Sequence, residues 1–132
     1  MLIICPHHFI STQEALKSSL WNEANYIVLC YDVSNCQSFD NCAHWIKSIS
    51  LCKKDVQVLL VANKADLRED NEKECLVEVD ASEGTDYAEK HGYDYFECSA
   101  MDSSTAKLPF KHMASNTCEG YVQKLQKEHL EE

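Results

Sequence analysis

The chain has 132 residues and a formal net charge of −10, from 12 basic and 22 acidic side chains. This length fits a single domain, and the negative charge disfavours nucleic acid or an anionic membrane as the main partner. Apolar residues make up 45 % of the sequence, which excludes the disordered and fibrous classes. Only three glycines occur, so a glycine-rich phosphate-binding loop is excluded from this sequence.

Helix-like and strand-like patterns alternate from Ser11 onward. Capping and acidic residues predict a helix from Ser11 to about Asn25. A run that is apolar on both faces predicts a buried strand at Tyr26–Val33. Ser34 and Gln37 predict a capping box. The helix that follows carries an apolar stripe of Phe39, Cys42, Ala43, Ile46 and Ile49.

The second half of the chain continues this alternation and ends in a long helix. The predicted elements are a strand at Val56–Ala62, a polar loop at Leu67–Val79, a helix from Asp80 to His91, a strand at Tyr93–Ser99 and a helix from about Lys107 to Leu130. Glu83 predicts a capping box with Asp80, and Gly92 predicts the C-terminal cap of the same helix. The last helix has its own apolar stripe, made of Phe110, Met113, Ala114, Thr117, Cys118, Tyr121, Val122 and Leu125. This order predicts an α/β fold with a parallel sheet and helices on both faces.

Eight cysteines occur, but none has the spacing of a C-x-x-C pair. Several occupy positions where apolar core residues are expected, so we interpret them as small buried hydrophobes in a reducing compartment. The competing interpretation is a zinc site, whose candidate ligands are Cys5, His7, His8, Cys36 and Cys42. The apolar start of the chain has no basic segment before it and is ended by Pro6, so it predicts no secretory signal.

Ligands of open parallel sheets bind beyond the C-terminal ends of the strands. The second predicted strand is followed by Asn63-Lys64-Ala65-Asp66, and the third ends in Cys98-Ser99-Ala100. The carboxylate of the first segment, Asp66, can accept two parallel hydrogen bonds from the N–H and NH₂ groups of a guanine edge. The lysine stem can cover a ring face, and the small residues let backbone N–H groups approach a carbonyl oxygen.

These segments resemble the Ras-like small GTPases, especially the Rab branch. The matching residues are Tyr31–Asn35, Ser38-Phe39, Trp45, Val61–Leu67, Tyr87-Ala88, Gly92 and Phe96–Ala100. The resemblance implies guanine specificity from Asn63, Lys64 and Asp66, supported by Ser99 and Ala100. It also implies GTP or GDP with Mg²⁺ as the ligand of the family, and the C-terminal half of a Ras-like P-loop fold, with a three-stranded parallel sheet.

The family pattern also contains a phosphate-binding loop, a switch I threonine and a D-x-x-G motif, and none of these occurs here. The sequence therefore predicts a partial GTPase domain at residues 11–132, preceded by a non-family or disordered start at residues 1–10. No catalytic or metal-binding residue is assigned, and neither GTP hydrolysis nor tight GTP binding is expected. The edge of the strand at Tyr26–Val33 is predicted to be bare unless Met1–Pro6 adds a short strand.

Within the family, the chain resembles the Rab-like branch that serves intraflagellar transport. The similar segments are Glu14–Trp21, Ser38–Trp45, Leu108–Phe110 and the tail His129–Glu132, which has no cysteine pair for a lipid anchor. This resemblance implies the intraflagellar transport B complex and its small β-sandwich subunit as partners. It implies the cytoplasm, the cilium and the ciliary base as the location. Another Rab-like GTPase of vesicle traffic is the alternative, and a pure interaction module is the second possibility for the chain's role.

Overall fold

The computed structural model describes residues 2–5, 25–50 and 56–130, with residues 2–5 and residue 48 described by their backbone alone. This part of the chain forms a parallel sheet of four strands: β1 (Leu2–Cys5), β2 (Tyr26–Asp32), β3 (Gln57–Asn63) and β4 (Asp94–Glu97). The helices are α1 (Cys36–Ser50), α2 (Ala81–His91), α3 (Ser103–Ala106) and α4 (Leu108–Leu130). The predicted α/β fold is confirmed, and the predicted helix from Ser11 to Asn25 lies almost wholly outside the described residues.

The sheet contains the three predicted strands and a fourth, β1, at the edge of β2. Leu2 lies opposite Tyr26 and Cys5 opposite Leu29, in parallel register. From the sequence, a short strand here was one alternative and a disordered start was the other. The structure contains the strand. Because β1 pairs with only the first four residues of β2, it covers the apolar edge only in part.

The helices divide between the two faces of the sheet. On one face, Ile27, Leu29 and Leu60 pack with Trp45 of α1 and Ala88 of α2. The opposite face is formed by Val28, Leu59 and Val61, which pack with Met113 of α4. Neighbouring residues of β2 thus face opposite sides, as the two-residue period of a strand requires. Both faces are apolar, which is typical of a parallel sheet.

The apolar stripe of α4 is exposed along most of the helix. Only Pro109 and Met113 are buried in α4, whereas the exposed fraction is 50 % for Phe110, 63 % for Tyr121 and 39 % for Leu125. A helix of 23 residues is about 34 Å long. The strands below it have only four to seven residues, so the C-terminal half of α4 extends past the sheet.

Three predicted helix caps fall on described residues, and two of them are confirmed. The predicted box of Ser34 and Gln37 is wrong, because the side chain of Asn35 accepts the hydrogen bond from the backbone N–H of Ser38 at 3.1 Å. At α2, the Glu83 carboxylate accepts a hydrogen bond from the backbone N–H of Asp80 at 2.8 Å. Gly92 ends α2 with φ at +72°, the left-handed conformation that favours glycine.

The cysteines are only partly the buried residues that the composition suggested. Cys42 and Cys98 are buried and Cys30 is half-buried, but Cys36, Cys75 and Cys118 are exposed. Burial raises the pKa of the Cys42 thiol to about 12, which makes it a poor nucleophile and metal ligand at neutral pH. No group of three or more potential ligands that could hold a metal ion occurs among the described residues. Of the proposed zinc ligands, His7 and His8 lie outside them.

Candidate functional site

The two predicted base-binding segments lie side by side at one edge of the sheet. β3 and β4 are neighbouring parallel strands, so their C-terminal ends meet. The backbone N–H of Cys98 donates to the carbonyl of Ala62 at 2.8 Å, and that of Ala65 donates to the carbonyl of Cys98 at 3.0 Å. These bonds tie the loop after β3 to the loop after β4.

Asp66 and Ser99 are joined by a direct hydrogen bond. Asp66 stands in a 3₁₀ turn, Ala65–Arg68, and its carboxylate is exposed. The Ser99 hydroxyl is buried and donates to Oδ1 of Asp66 at 2.8 Å. The same hydroxyl accepts a hydrogen bond from the backbone N–H of Met101 at 3.1 Å. Oδ2 of Asp66 has no hydrogen-bond or ion-pair partner in the described part of the chain, so it is available to a ligand.

Lys64 adopts a strained backbone conformation at this site. Its φ is 61°, and it is the one non-glycine residue with positive φ in residues 25–50 and 56–130. The side chain of Asn63 accepts a hydrogen bond from the Lys64 backbone N–H at 2.9 Å. The ammonium group of Lys64 lies 2.7 Å from Oδ2 of Asp32, at the end of β2. Non-glycine residues in this conformation cluster at functional sites, where the surrounding structure holds them in place.

The site residues border two different cavities. Asp66 and Ser99 line one of about 290 Å³, together with Arg68 and Met101. Asn63 and Ala100 line a second, apolar one of about 180 Å³ between the sheet and the start of α4. Lys64 lines neither of these two cavities. The structure therefore brings Asp66 and Ser99 into contact, whereas Asn63 and Ala100 border the second cavity.

Arg68 and Glu97 support the loop that carries Asp66, and sequence reasoning missed both. Nε of Arg68 lies 2.8 Å from the Glu97 carboxylate, and its Nη1 donates to the carbonyl of Val79 at 2.7 Å. Both side chains are largely buried, so the ion pair is screened less than a surface pair. The sequence offered a weak signal for Glu97, a charged residue at the end of a predicted strand.

Asp32 is the third residue that sequence reasoning missed. Its side chain is only 7 % exposed, and its Oδ1 accepts hydrogen bonds from the Ser34 backbone N–H at 2.8 Å and hydroxyl at 2.6 Å. Burial alone raises the pKa of this carboxyl, but the hydrogen bonds from Lys64 and Ser34 outweigh it and hold the pKa below its usual value. An acidic residue at the end of an apolar strand was the available signal.

Asp32→Asn is expected to lower the free energy of unfolding by about 1–2 kcal/mol near neutral pH, because a neutral amide is a weaker partner for Lys64 and Ser34. The pKa of Asp32 is depressed in the folded state. Its stabilising contribution is therefore present above the unfolded pKa, about 4, and is lost as the pH falls through the folded value. Urea unfolding of both proteins at neutral pH and near pH 3 checks this. If the difference in unfolding free energy between the wild type and Asp32→Asn is equally large at both pH values, this prediction is contradicted.

The comparisons with known proteins agree with this geometry. The family model of the Ras family matches residues 12–119. This chain belongs to the Ras family. It is 30 % identical over 100 residues to Ras-related protein Rab-11A of Dictyostelium discoideum, covering 75 % of this chain and 44 % of that protein. It is 33 % identical over 101 residues to GTP-binding protein YPTM1 of Zea mays, covering 76 % and 46 %. It is 30 % identical over 105 residues to human Ras-related protein Rab-3A, covering 79 % and 45 %.

The chain spans less than half the length of these curated relatives. The predicted Rab-like small-GTPase family is confirmed, and proteins of this family generally bind GTP or GDP with Mg²⁺. The described residues fit the base of such a nucleotide, because one oxygen of Asp66 is unpartnered beside the Ala100 loop. No helix among them is long and apolar enough to cross a membrane.

Proposed function

We propose that this chain carries the base-reading part of a Rab-like GTPase and binds the guanine base of GDP or GTP. The observation that carries the proposal is the bond from the Ser99 hydroxyl to Oδ1 of Asp66, which orients the carboxylate and leaves Oδ2 without a partner among the described residues. A carboxylate accepts up to about four hydrogen bonds. Asp66 can therefore keep Ser99 while it accepts the two N–H groups of the guanine edge.

The other site residues have supporting roles in this proposal. The stem of Lys64 covers the ring, and the backbone N–H of Ala100 donates to the guanine carbonyl. Asn63 braces the loop through its bond to the Lys64 backbone. A bound GDP or GTP would carry its phosphates and the Mg²⁺ ion that they coordinate, and no described residue is assigned to hold either. The absence of tight GTP binding and of hydrolysis by this chain stays a prediction.

Guanosine is expected to bind with a Kd of about 0.1–1 mM, which corresponds to a binding free energy of about −4 to −5.5 kcal/mol. Because the base contacts the two loops, the amide signals of Asp66, Ala100 and Met101 should shift in a ¹⁵N NMR titration. Adenosine, which lacks the N1–H and the 2-amino group, is the matched control. Equal shifts of these amides with both nucleosides, or no shift with guanosine, contradict the proposal.

Within the family, we propose that the chain serves intraflagellar transport and that it is similar to intraflagellar transport protein 27. Two described segments support this, Ser38–Trp45 in α1 and Leu108–Phe110 at the start of α4. Of the other two similar segments, Glu14–Trp21 lies outside the described residues and the tail His129–Glu132 lies partly outside them. The proposed location is the cytoplasm, the cilium and its base. A Rab-like GTPase of vesicle traffic is the alternative, and the likeness to Rab-11A and Rab-3A is compatible with it.

A second role, partner binding, is favoured by the apolar side chains that α4 exposes. Tyr121, Val122 and Leu125 are 63 %, 50 % and 39 % exposed on the half of α4 that extends past the sheet. Exposed apolar side chains that lie close together mark interaction sites. We propose that they bind the small β-sandwich subunit of the intraflagellar transport B complex, intraflagellar transport protein 25.

The double substitution Tyr121→Asp with Leu125→Asp is expected to weaken binding of that subunit at least about tenfold, because two apolar side chains lose their burial. Both residues are exposed, so the fold should survive. The matched control is Gln123→Asp with Gln126→Asp, which adds the same charge at exposed positions of the same helix. Co-purification and titration with the purified subunit measure the effect. Binding that is as strong in the first variant as in the control contradicts this role.

A further inference from the structure

Asp32 is a buried carboxylate whose two oxygens are both engaged. It lies at the C-terminal end of β2, directly opposite Asn63 in the register of β2 and β3. Oδ1 accepts the two hydrogen bonds from Ser34, and Oδ2 lies 2.7 Å from the ammonium group of Lys64. The main chain of Asp32 is fixed as well, since its N–H donates to the Ser38 hydroxyl at 2.9 Å. The carboxylate is thus held rigidly before it meets Lys64.

Lys64 is held at its backbone and at its ammonium group, but its side chain is not buried. At the backbone end, its N–H donates to the Asn63 side chain and its carbonyl accepts from the N–H of Leu67 at 3.1 Å. At the other end, the ammonium group reaches Asp32. The Lys64 side chain is 54 % exposed although its ammonium group is held by Asp32, so a large part of it is open to a ligand. A free lysine stem has several rotatable bonds and loses rotamer entropy when a ligand orders it.

We infer that Asp32 is a positioning residue of the base site, which fixes the Lys64 stem in the place where it covers a guanine ring. This inference rests on the proposed function, because it assigns a role in the same site. The ion pair orders the stem before the ligand arrives, so the ligand does not bear that entropy cost. It also holds the ammonium charge at the sheet edge and leaves the apolar stem to contact the ring.

Guanosine titrations of four proteins test this role: the wild type, Asp32→Asn, Lys64→Met and the double variant. Methionine keeps an apolar stem but has no ammonium group for Asp32 to hold. Asp32→Asn is therefore expected to weaken guanosine binding about threefold to tenfold in the wild-type background and to have no effect in the Lys64→Met background. An equal loss in both backgrounds overturns the inference, because it shows that Asp32 acts through the general structure of the loop.

A second measurement needs neither ligand nor variant. In the ligand-free wild type, the ¹⁵Nζ signal of Lys64 should be protected and resolved, unlike that of Lys111, a lysine exposed on α4. Rapid averaging of both signals overturns the inference even when guanosine binds. If the wild type shows the protected Lys64 signal but no guanosine binding, the proposed function fails, and with it the role of Asp32 in base binding. Failure of the Asp32 inference can therefore be distinguished from failure of the proposed guanine binding.

Discussion

Replacing Gly84 by alanine is expected to lower the free energy of unfolding by about 2 kcal/mol, although alanine is the better helix former. A Cβ atom at this position of α2 would lie 2.2 Å from the Tyr31 hydroxyl oxygen and 2.8 Å from a ring carbon of Tyr95. Tyr31 is fully buried, so it cannot move aside without disturbing the core. Overpacking of this kind costs about 1–3 kcal/mol or more, whereas the gain in helix propensity is only about 1 kcal/mol.

Urea unfolding of the variant measures this effect, and the chain provides a matched control. Gly120 is also inside a helix, α4, but a Cβ atom there would meet nothing within 4 Å. Gly120→Ala is therefore expected to raise the free energy of unfolding by up to about 1 kcal/mol, opposite in sign to Gly84→Ala. Adding Tyr31→Phe to Gly84→Ala should recover part of the loss, because it removes the nearest atom. A Gly84→Ala protein as stable as the wild type would show that α2 does not pack against the two tyrosines.

Asp66→Asn is expected to reverse the base preference of the site. The Asp66 carboxylate offers only acceptors, which suit the N1–H and 2-amino donors of guanine. An asparagine amide offers one acceptor and one donor, so its NH₂ group faces the 2-amino group of guanine without a partner. Xanthine has an oxygen at that position and restores the pair. A lost hydrogen bond to a charged group costs about 1.5–3 kcal/mol, which predicts about 10–100-fold weaker guanosine binding.

The sheet and its helices were largely predictable from the sequence. The run at Tyr26–Val33 is apolar on both faces because both faces of β2 are covered, and Gly92 caps α2 because its φ is positive. Asp66 and Ser99 could be placed in one site, because parallel strands bring their C-terminal ends to one edge. These inferences depend on local patterns and on a general rule of topology.

The remaining features depend on contacts between distant segments. The partnership of Asp32 and Lys64 follows from the register of β2 and β3, which no local pattern specifies. The apolar stripe of α4 has the period of a core helix, but the lengths of the strands decide how much of it is buried. A glycine inside a helix lowers helix propensity, and only the positions of Tyr31 and Tyr95 show that no larger residue fits at Gly84.

The most direct test of guanine recognition is a crossed titration of the wild type and Asp66→Asn with guanosine and xanthosine, followed by ¹⁵N NMR at the Ala100 and Met101 amides. We predict that the wild type prefers guanosine and that the variant prefers xanthosine, with the ratio of the two Kd values inverted. The Ser99–Asp66 contact makes the substitution conservative, since an asparagine side-chain oxygen still accepts from the Ser99 hydroxyl. An unchanged preference in the variant would contradict the assignment of Asp66, and with it the account of this site.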